Sequence, residues 1–341
     1  MKARPGREAR FVVLRLSSFG DIVLAEPVTR RLKQAYPDCR VDFATYEEYG
    51  EIPTLFPGVD SVVTYSRAAL PLAGGGGGPT GSIDAVIDLQ NNARSRLVAA
   101  GLGGGRVLRY RRPYVRRFLA VYLPRVWKGD LRHTIDLYLD ATRSLGIVAG
   151  NDFPRLEVPA ECLSRVRAHL GKGSLIGICP GASSPHKMWA SEHFNALMRI
   201  LVAQGHRVLA IGSGRDRGAV DQATAGLGEG EILRYITNSA RELAAVLSLC
   251  AVTVSNDSGL LHLGAGVGSR VVSISGPTSP LLGFAPRSPG SVVINRGLAC
   301  SPCSYHGNRP CKYARMACFD DIRPSEVASV VNDLSASCLK G

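Results

Sequence analysis

A single carboxylate, Asp21, follows the first apolar run of the chain and a turn of small residues. The run from Phe11 to Leu16 is typical of a strand, and an amphipathic helical pattern extends from Asp21 to about Tyr36. We expect this helix to bend near Pro27. A strand that ends at the mouth of a parallel sheet can deliver a carboxylate as a general base. Asp is also a favoured residue at helix starts, so Asp21 can equally be an N-cap.

Three loops in the second half of the chain carry side chains suited to a diphosphate. Each comes directly after an apolar run that is typical of a strand. Ligands of open α/β sheets bind at the carboxyl ends of strands, where helix N-termini offer N–H groups to anions. A helix cap or solvated turn explains each loop nearly as well in isolation, but three in succession favour a phosphate site. The candidate residues are Ser183, Ser184 and Lys187 in the first loop, Asp257, Ser258, Gly259 and His262 in the second, and Thr278 in the third.

Strand and helix patterns alternate along both halves of the chain, which predicts an α/β fold with parallel sheets. The stretch from Gly146 to Pro159 is rich in Gly and Pro and is typical of a linker between domains. We therefore expect two Rossmann-like doubly wound domains, residues 1–155 and 156–341, that face each other across a cleft. Neither half contains a GxGxxG motif followed about twenty residues later by an acid, which disfavours a nicotinamide enzyme.

The formal net charge of +13 points to an acidic partner. Between Arg94 and Arg132 there are eleven basic residues and a single acid. Such a run is commonly a solvated face, but the aromatic residues among its charges are also typical of a surface that contacts anions or a membrane. Nucleic acid is a weaker alternative, because no recognition-helix, RNA-binding or zinc-finger pattern accompanies the charge.

No apolar run approaches the ~20 residues needed to span a bilayer, and the N-terminus lacks the pattern of a signal peptide. We expect a cytoplasmic protein whose nine cysteines are mostly reduced. Five consecutive glycines, Gly74 to Gly78, are expected to form a surface loop, because the preceding strand and following Gly-Lys-Ser/Thr of a phosphate loop are missing.

Four cysteines near the C-terminus, Cys300, Cys303, Cys311 and Cys318, have spacing that is compatible with a structural zinc site. The second pair is separated by six residues, which is wider than zinc motifs prefer. Free thiols in a loop are therefore the preferred interpretation, and no metal is predicted.

Five motifs in order give the chain a family resemblance. They are R-L-S-S-x-G-D from Arg15, D-L-Q-N-N-x-R-S-R from Asp88, P-G-A-S-x-x-x-K-x-W from Pro180, N-D-S-G-x-x-H-L from Asn256, and G-P-T from Gly276 followed by the Cys-rich tail. The chain resembles glycosyltransferase family 9, the lipopolysaccharide heptosyltransferases, over nearly its whole length. The resemblance implies the GT-B fold, with an acceptor on the N-terminal domain and a nucleotide-sugar on the C-terminal domain.

The resemblance also implies inverting, metal-independent transfer of heptose from ADP-heptose to the lipopolysaccharide inner core at the cytoplasmic face of the inner membrane. By position, Asp21 matches the catalytic base, the Ser183 loop matches the diphosphate-binding loop, and the Asp257 segment matches the part that holds ADP. Asp216 is a candidate for a ribose contact. The resemblance implies an anionic acceptor. It implies no cofactor beyond the ADP-sugar donor. We assign the acceptor side to Ser18, Gly20, Asn92, Arg94 and Arg96.

Two alternatives remain open from the residues alone. One is another nucleotide-sugar transferase or epimerase of the same fold. The other, of a different class, is a non-catalytic basic protein that binds nucleic acid.

Overall fold

The computed structural model describes residues 8–68, 82–103, 105–123, 131–228 and 230–338. The chain divides into two compact units, Met1–Arg112 with Thr134–Glu157 and Pro113–His133 with Val158–Gly341. The third crossing between the units, after Glu157, therefore lies two residues beyond the predicted boundary at 155. The predicted first domain also included Pro113–His133, which packs with the second unit instead.

The first unit is built on a five-stranded parallel sheet of order β3-β2-β1-β4-β5. The strands at the centre of this sheet are almost fully buried, as expected for a parallel sheet with helices on its faces. Its elements are β1 (Arg10–Leu14), α1 (Phe19–Val23), α2 (Glu26–Ala35), β2 (Arg40–Tyr46), β3 (Ser61–Tyr65), β4 (Ala85–Asp88), α3 (Ala93–Gly101) and β5 (Arg106–Arg109), with the later helix α5 (Thr134–Asp140).

The predicted helix from Asp21 to Tyr36 is two helices in the structure, α1 and α2. The chain breaks after Val23, and α2 restarts at Glu26 with Pro27 in its first turn. Proline fits this position because the first N–H groups of a helix have no partner inside the helix. The bend is therefore a helix boundary, and it leaves Asp21 on a short helix of its own.

The second unit contains a six-stranded parallel sheet of order β11-β10-β9-β6-β7-β8. Its core lies between this sheet and the helices that include α7 and α12, with Trp189 among the fully buried side chains. Its elements are α4 (Tyr114–Tyr122), α6 (Ala160–Leu170), β6 (Leu175–Cys179), α7 (Ser191–Ala203), β7 (Arg207–Gly212), α8 (Arg217–Ala223), β8 (Ile232–Ile236), α9 (Ala240–Ser248), β9 (Cys250–Asn256), α10 (Gly259–Gly266), β10 (Arg270–Ile274), β11 (Val292–Ile294), α11 (Ala317–Asp320) and α12 (Pro324–Cys338).

Helix α4 belongs to the second unit because its apolar face packs there. Ala120 and Val121 form a small buried cluster with Leu131 and Leu282. The Arg117 guanidinium also lies 4.9 Å from the centre of the Phe284 ring. The partners Leu282 and Phe284 lie more than 150 residues later in the chain. The local sequence pattern therefore places the basic run in the first domain.

The sequence patterns miss two strands, β5 and β8, and four helices, α3, α4, α6 and α11. Both strands lie at sheet edges, where burial is partial and the apolar pattern is weak. The five glycines from Gly74 to Gly78 lie outside the described residues. Within the part of the chain that the structure describes, no helix is long and apolar enough to cross a membrane.

Candidate functional site

Asp21 lies in the first turn of α1, after the loop that leaves β1, and Ser18 and Gly20 share this turn. Its Oδ2 accepts hydrogen bonds from the Ser18 hydroxyl at 2.8 Å and the Ser18 N–H at 3.4 Å. The same oxygen lies 2.8 Å from the guanidinium of Arg15. Among the described residues, Oδ1 accepts one hydrogen bond, a long one of 3.3 Å from the Tyr138 hydroxyl. The carboxylate therefore caps its helix and still keeps an oxygen with lone-pair capacity for another donor.

Arg15 fixes the charge of Asp21. Its buried side chain also donates to the Leu89 carbonyl at 2.8 Å, which orients the guanidinium towards the carboxylate. Burial alone would raise the pKa of Asp21, but the charge of Arg15 and the hydrogen bonds from Ser18 outweigh it and lower that pKa. Asp21 is consequently ionised at neutral pH.

Tyr138 supports the other oxygen of Asp21 from helix α5. Burial raises the pKa of Tyr138 well above its usual value, although Arg15 acts in the opposite direction. The hydroxyl therefore stays protonated and is a donor to Asp21. The Tyr138 ring packs edge-on against Tyr110, with 5.1 Å between ring centres, and the guanidinium of Arg15 lies 5.6 Å from its centre.

The residues that follow β4 shape the loop that carries Asp21. The Gln90 Oε1 accepts hydrogen bonds from the N–H groups of Leu16 at 2.8 Å and Ser17 at 3.1 Å. Asp88 in turn holds this segment, because its Oδ1 accepts from the N–H groups of Gln90 at 3.0 Å and Asn91 at 2.8 Å. The ends of β1 and β4 are thus tied together by side chains from the D-L-Q-N-N motif.

The predicted acceptor-side residues after β4 are exposed and surround this edge of the sheet. Asn92 caps α3, since its side chain accepts from the Ser95 N–H at 2.9 Å. Arg94 donates to the Tyr46 hydroxyl at 3.4 Å, and Arg96 donates to a neighbouring asparagine side chain at 3.0 Å. Their role towards an acceptor remains a prediction.

In the second unit, the three predicted loops converge. They follow β6, β9 and β10, which are neighbours in the sheet. The Lys187 Nζ lies 2.8 Å from Asp257 Oδ2, and the Thr278 hydroxyl donates to the same oxygen at 2.7 Å. One residue from each loop thus meets at the carboxyl edge of the second sheet, as the sequence patterns predicted.

This cluster is polarised around Asp257. Burial would raise the pKa of Asp257, but the Lys187 charge, the bonds from Lys187 and Thr278, and the buried His262 outweigh burial and lower it. The Lys187 ammonium has three donors, and the bond to Asp257 uses one of them. The remaining donors suit phosphate oxygens, to which an ammonium makes short charge-assisted hydrogen bonds.

Backbone donors border the same cluster. Ser258 occupies the N-cap position of α10 and Gly259 is its first residue, so the free N–H groups of this helix lie at the loop edge. In the first loop, Ser184 caps a single helical turn by accepting from a backbone N–H at 3.3 Å, and the adjacent Ser183 is exposed. The arrangement can bind an anionic group through N–H, hydroxyl and ammonium donors together.

Asn256, at the end of β9, connects the first two loops through its side-chain hydrogen bonds. Its Oδ1 accepts from the Trp189 N–H at 3.0 Å, and its Nδ2 donates to the Pro180 carbonyl at 2.7 Å. A Cβ at Gly181 would overlap the carboxylate of Asp216, so the candidate ribose residue lies directly against this loop. The backbone of the first loop is therefore fixed from two sides.

The thiols of Cys300, Cys303, Cys311 and Cys318 are half-buried, and they interact electrostatically with one another. Burial, with the neighbouring Cys303, Cys300 and Cys311 thiols, raises the pKa of Cys318 to about 11. Among the described residues, no group of three or more His, Cys, Asp or Glu is arranged to hold a metal. The backbone of this cysteine-rich loop also lies against Lys187, because a Cβ at Gly307 would overlap the Lys187 side chain.

The sequence patterns predict no site role for four residues that the structure places there: Arg15, Tyr138, Gln90 and Asn256. Arg15 carried a signal, since a charged residue at the end of a buried strand requires a partner. Tyr138 carried none, because it meets Asp21 across 117 positions of sequence.

Comparison with known proteins agrees with this architecture. Residues 80–314 match the family model described as glycosyltransferase family 9 (heptosyltransferase). Lipooligosaccharide heptosyltransferase 2 of Haemophilus influenzae is 25% identical over 304 residues, which cover 76% of this chain and 81% of that protein.

Two solved structures share the fold. The family 9 glycosyltransferase of Veillonella parvula aligns with a TM-score of 0.77 and 20% identity, covering 96% of this chain and 97% of that chain. The ADP-heptose lipopolysaccharide heptosyltransferase II of Escherichia coli aligns with a TM-score of 0.73 and 20% identity, covering 96% and 99%. The expected fold class, two parallel-sheet α/β domains of the GT-B type, is confirmed. The family model covers more than half of the sequence, and this chain belongs to glycosyltransferase family 9 and is a glycosyltransferase.

Proposed function

We propose that this protein transfers a heptose from ADP-heptose to the inner core of lipopolysaccharide, with inversion at the anomeric carbon. The proposed reaction needs no metal ion or cofactor and takes place at the cytoplasmic face of the inner membrane. Family membership and the named activity of the H. influenzae relative support heptose as the transferred sugar. In this proposal the acceptor binds the first domain and the nucleotide-sugar binds the second.

Asp21 acts as the general base. The acceptor hydroxyl donates its proton to Asp21 Oδ1 while its oxygen forms a bond to the anomeric carbon and the bond to the diphosphate oxygen breaks. Oδ2 is already engaged by Arg15 and Ser18, so the carboxylate presents a fixed orientation to the hydroxyl. The single observation that carries the proposal is this ionised, locked carboxylate with one lightly bonded oxygen.

The diphosphate leaves with increased negative charge on the oxygen that joined it to the anomeric carbon. Lys187 and the N-terminus of α10 stabilise this charge from the second domain. Asp257 holds the Lys187 ammonium in place, and Thr278 supports Asp257 from the third loop. In this proposal a cation and helix N–H groups supply the charge stabilisation that a divalent metal ion could otherwise supply at the leaving group.

The test is product analysis with a panel of nucleotide sugars and truncated core acceptors. We expect transfer from ADP-heptose, an inverted anomeric configuration by NMR, and an unchanged rate after dialysis against EDTA. Asp21→Asn should lower kcat by about 10³-fold, within the range for loss of a general base, and leave ADP affinity nearly unchanged.

Asp38→Asn is the matched control, because Asp38 is an exposed carboxylate of the same unit. Its activity should equal that of the unmodified protein. Normal turnover by Asp21→Asn would refute the base assignment. Preference for another nucleotide sugar, or a rate lost with EDTA, would refute the donor or the metal independence.

A further inference from the structure

The cysteine-rich loop between β11 and α11 contains a segment, residues 304–309, that packs against Lys187 through its backbone. Gly307 lies in the middle of this segment and is buried, and a Cβ added to it would overlap the Lys187 side chain. The Lys187 ammonium in turn lies 2.8 Å from Asp257. The position of Gly307 therefore limits where the stem of this lysine can lie, and with it the direction of the ammonium.

One side chain of α4, Tyr122, contacts this segment on both sides of Gly307. The Tyr122 ring packs edge-on against Tyr305, with 5.9 Å between ring centres. Its hydroxyl accepts a hydrogen bond of 2.7 Å from the guanidinium of Arg309, which also lies 5.0 Å from the centre of the same ring. Tyr305 and Arg309 each stand two positions from the glycine in the sequence. Tyr122 thus holds both flanks of the residue that packs on Lys187.

Hydrogen bonds inside the segment tie its two flanks together. The buried Ser304 hydroxyl accepts from the N–H groups of His306 and Asn308, both at 3.4 Å. The same hydroxyl donates to the Asn308 side chain at 3.0 Å. Because these bonds link positions before and after Gly307, a displacement of either flank moves the glycine as well.

Tyr122 can serve as an anchor because α4 is itself fixed to the second unit. Its neighbours Ala120 and Val121 are buried with Leu131 and Leu282, and Tyr305 packs against the same cluster. The Tyr122 side chain is 40% exposed, so most of its ordering comes from the segment rather than from the core. An aromatic side chain has two rotatable bonds and can hold a partner at a low cost in conformational entropy.

We propose that Tyr122 is a positioning residue for Lys187 and strengthens binding of the donor diphosphate through the 304–309 segment. The inference rests on the proposed function for the identity of the ligand, whereas the contacts that carry it lie within the chain. A helix encoded in the first half of the sequence would then set the strength of nucleotide binding in the second unit. The alternative is that Tyr122 only helps to pack α4, so that its loss lowers stability and leaves Lys187 in place.

The experiment compares the unmodified full chain with Tyr122→Ala. Titration calorimetry measures the Kd for ADP, which should rise about fivefold, an effect of the size that one aromatic pair contributes. Hydrogen exchange followed by mass spectrometry measures, in the absence of nucleotide, the loop in which the Lys187 N–H donates to the Ser184 carbonyl at 3.0 Å. Exchange in this loop should become faster, because a local contact that opposes its opening is lost.

Two further variants separate the contacts of Tyr122. Tyr122→Phe keeps the ring against Tyr305 and should restore most of the ADP affinity that Tyr122→Ala loses. Arg309→Ala leaves α4 unchanged and should raise the Kd for ADP about threefold, since one exposed hydrogen bond is removed. Because Arg309 is exposed, this variant tests the segment even if Tyr122→Ala does not fold.

Tyr313→Ala is the matched control, because Tyr313 is a 58% exposed tyrosine of the same loop whose ring contacts Lys312. Its ADP affinity and its exchange near Lys187 should equal those of the unmodified chain. An unchanged Kd for ADP or unchanged exchange near Lys187 in folded Tyr122→Ala would overturn the positioning role, as would equal changes in Tyr313→Ala. If the unmodified chain binds no ADP, the proposed donor is wrong, and exchange near Lys187 alone decides whether Tyr122 positions it.

Discussion

At the scale of single residues, the site of the first unit depends on the balance between burial and charge at Asp21. Burial opposes ionisation, and Arg15 reverses the outcome through an ion pair of 2.8 Å. Because the pKa of Asp21 is lowered in the folded chain, its ionisation stabilises the fold above its unfolded pKa. This contribution is lost as the pH falls through the lowered value, at and below about pH 4.

Replacing Arg15 should change the pH dependence of catalysis. In Arg15→Gln, burial acts without the opposing charge, so the pKa of Asp21 rises and the base is protonated at a higher pH. The acid limb of the kcat/KM profile should therefore move to higher pH by about one unit or more, which is the size of effect an adjacent opposite charge has. The measurement is the rate of heptose transfer across a series of buffers.

Tyr138→Phe is the comparison variant for this prediction. It removes the long hydrogen bond to Oδ1 and retains both the ring and the Arg15 ion pair. Its acid limb should move much less than that of Arg15→Gln. An Arg15→Gln profile that coincides with the unmodified one would show that Arg15 does not set the charge of the rate-controlling carboxylate.

Asp21 was predictable from sequence, whereas its partners were less so. The position of a carboxylate after an apolar run and a small-residue turn is a local pattern. Tyr138 reaches it only because α5 packs beside α2, a contact no local pattern encodes. In the second unit, Lys187, Asp257 and Thr278 were foreseen, since each follows its own strand and parallel strands end at one edge.

At the scale of elements, the accuracy of sequence prediction depended on where a strand lies in its sheet. The apolar patterns predict a strand over Leu175–Cys179 and a helix over Gly259–Gly266, which are the bounds of β6 and α10, because both elements are largely buried. Strands β5 and β8 lie at sheet edges and were missed. The Cys-rich loop was recognised only by its thiols, yet its backbone packs against Lys187 through Gly307.

Gly307→Ala should impair donor binding. Gly307 has a φ of 63°, and a Cβ there would overlap the Lys187 side chain, so the ammonium must move from Asp257. We expect the KM for the ADP-sugar to rise about tenfold. That change corresponds to about 1.4 kcal/mol, close to the value of one hydrogen bond to a charged group. The readout is the KM for donor at saturating acceptor.

Gly297→Ala is the matched control for this loop. Gly297 also has a positive φ, of 58°, but nothing lies within 4 Å of the added Cβ. Both variants should lose about 1 kcal/mol of free energy of unfolding from the left-handed backbone, and Gly307→Ala should lose more because its Cβ also displaces Lys187. Only Gly307→Ala should change the KM, and equal KM values in the two variants would contradict the contact with Lys187.

At the scale of the whole molecule, the net charge of +13 follows directly from the sequence. How that charge is distributed between the two units does not. The basic run between Arg94 and Arg132 is shared between the two units, with α4 in the second. One face of α4 is buried with Leu131 and Leu282. The other face exposes Tyr114 (65%), Val115 (72%) and Phe118 (51%) beside basic residues.

This exposed face of α4 is our candidate for contact with the inner membrane. Aromatic and aliphatic side chains beside arginines are typical of surfaces that insert shallowly among anionic headgroups. Val115→Ser should weaken binding to vesicles that contain phosphatidylglycerol by about fivefold, because burying an aliphatic side chain contributes about 1.5 kcal/mol when complete. The measurement is the fraction of protein that sediments with vesicles at increasing lipid concentration.

The matched control is Val148→Ser in the first unit, where Val148 is 68% exposed. It changes the same chemistry at similar exposure, so its vesicle binding should equal that of the unmodified chain. Raising the salt concentration should weaken binding of both variants alike, since the arginines are unchanged and ionic attraction is screened within about 10 Å at 0.1 M. If Val148→Ser loses as much binding as Val115→Ser, the attraction comes from net charge alone and α4 is not the membrane-facing surface.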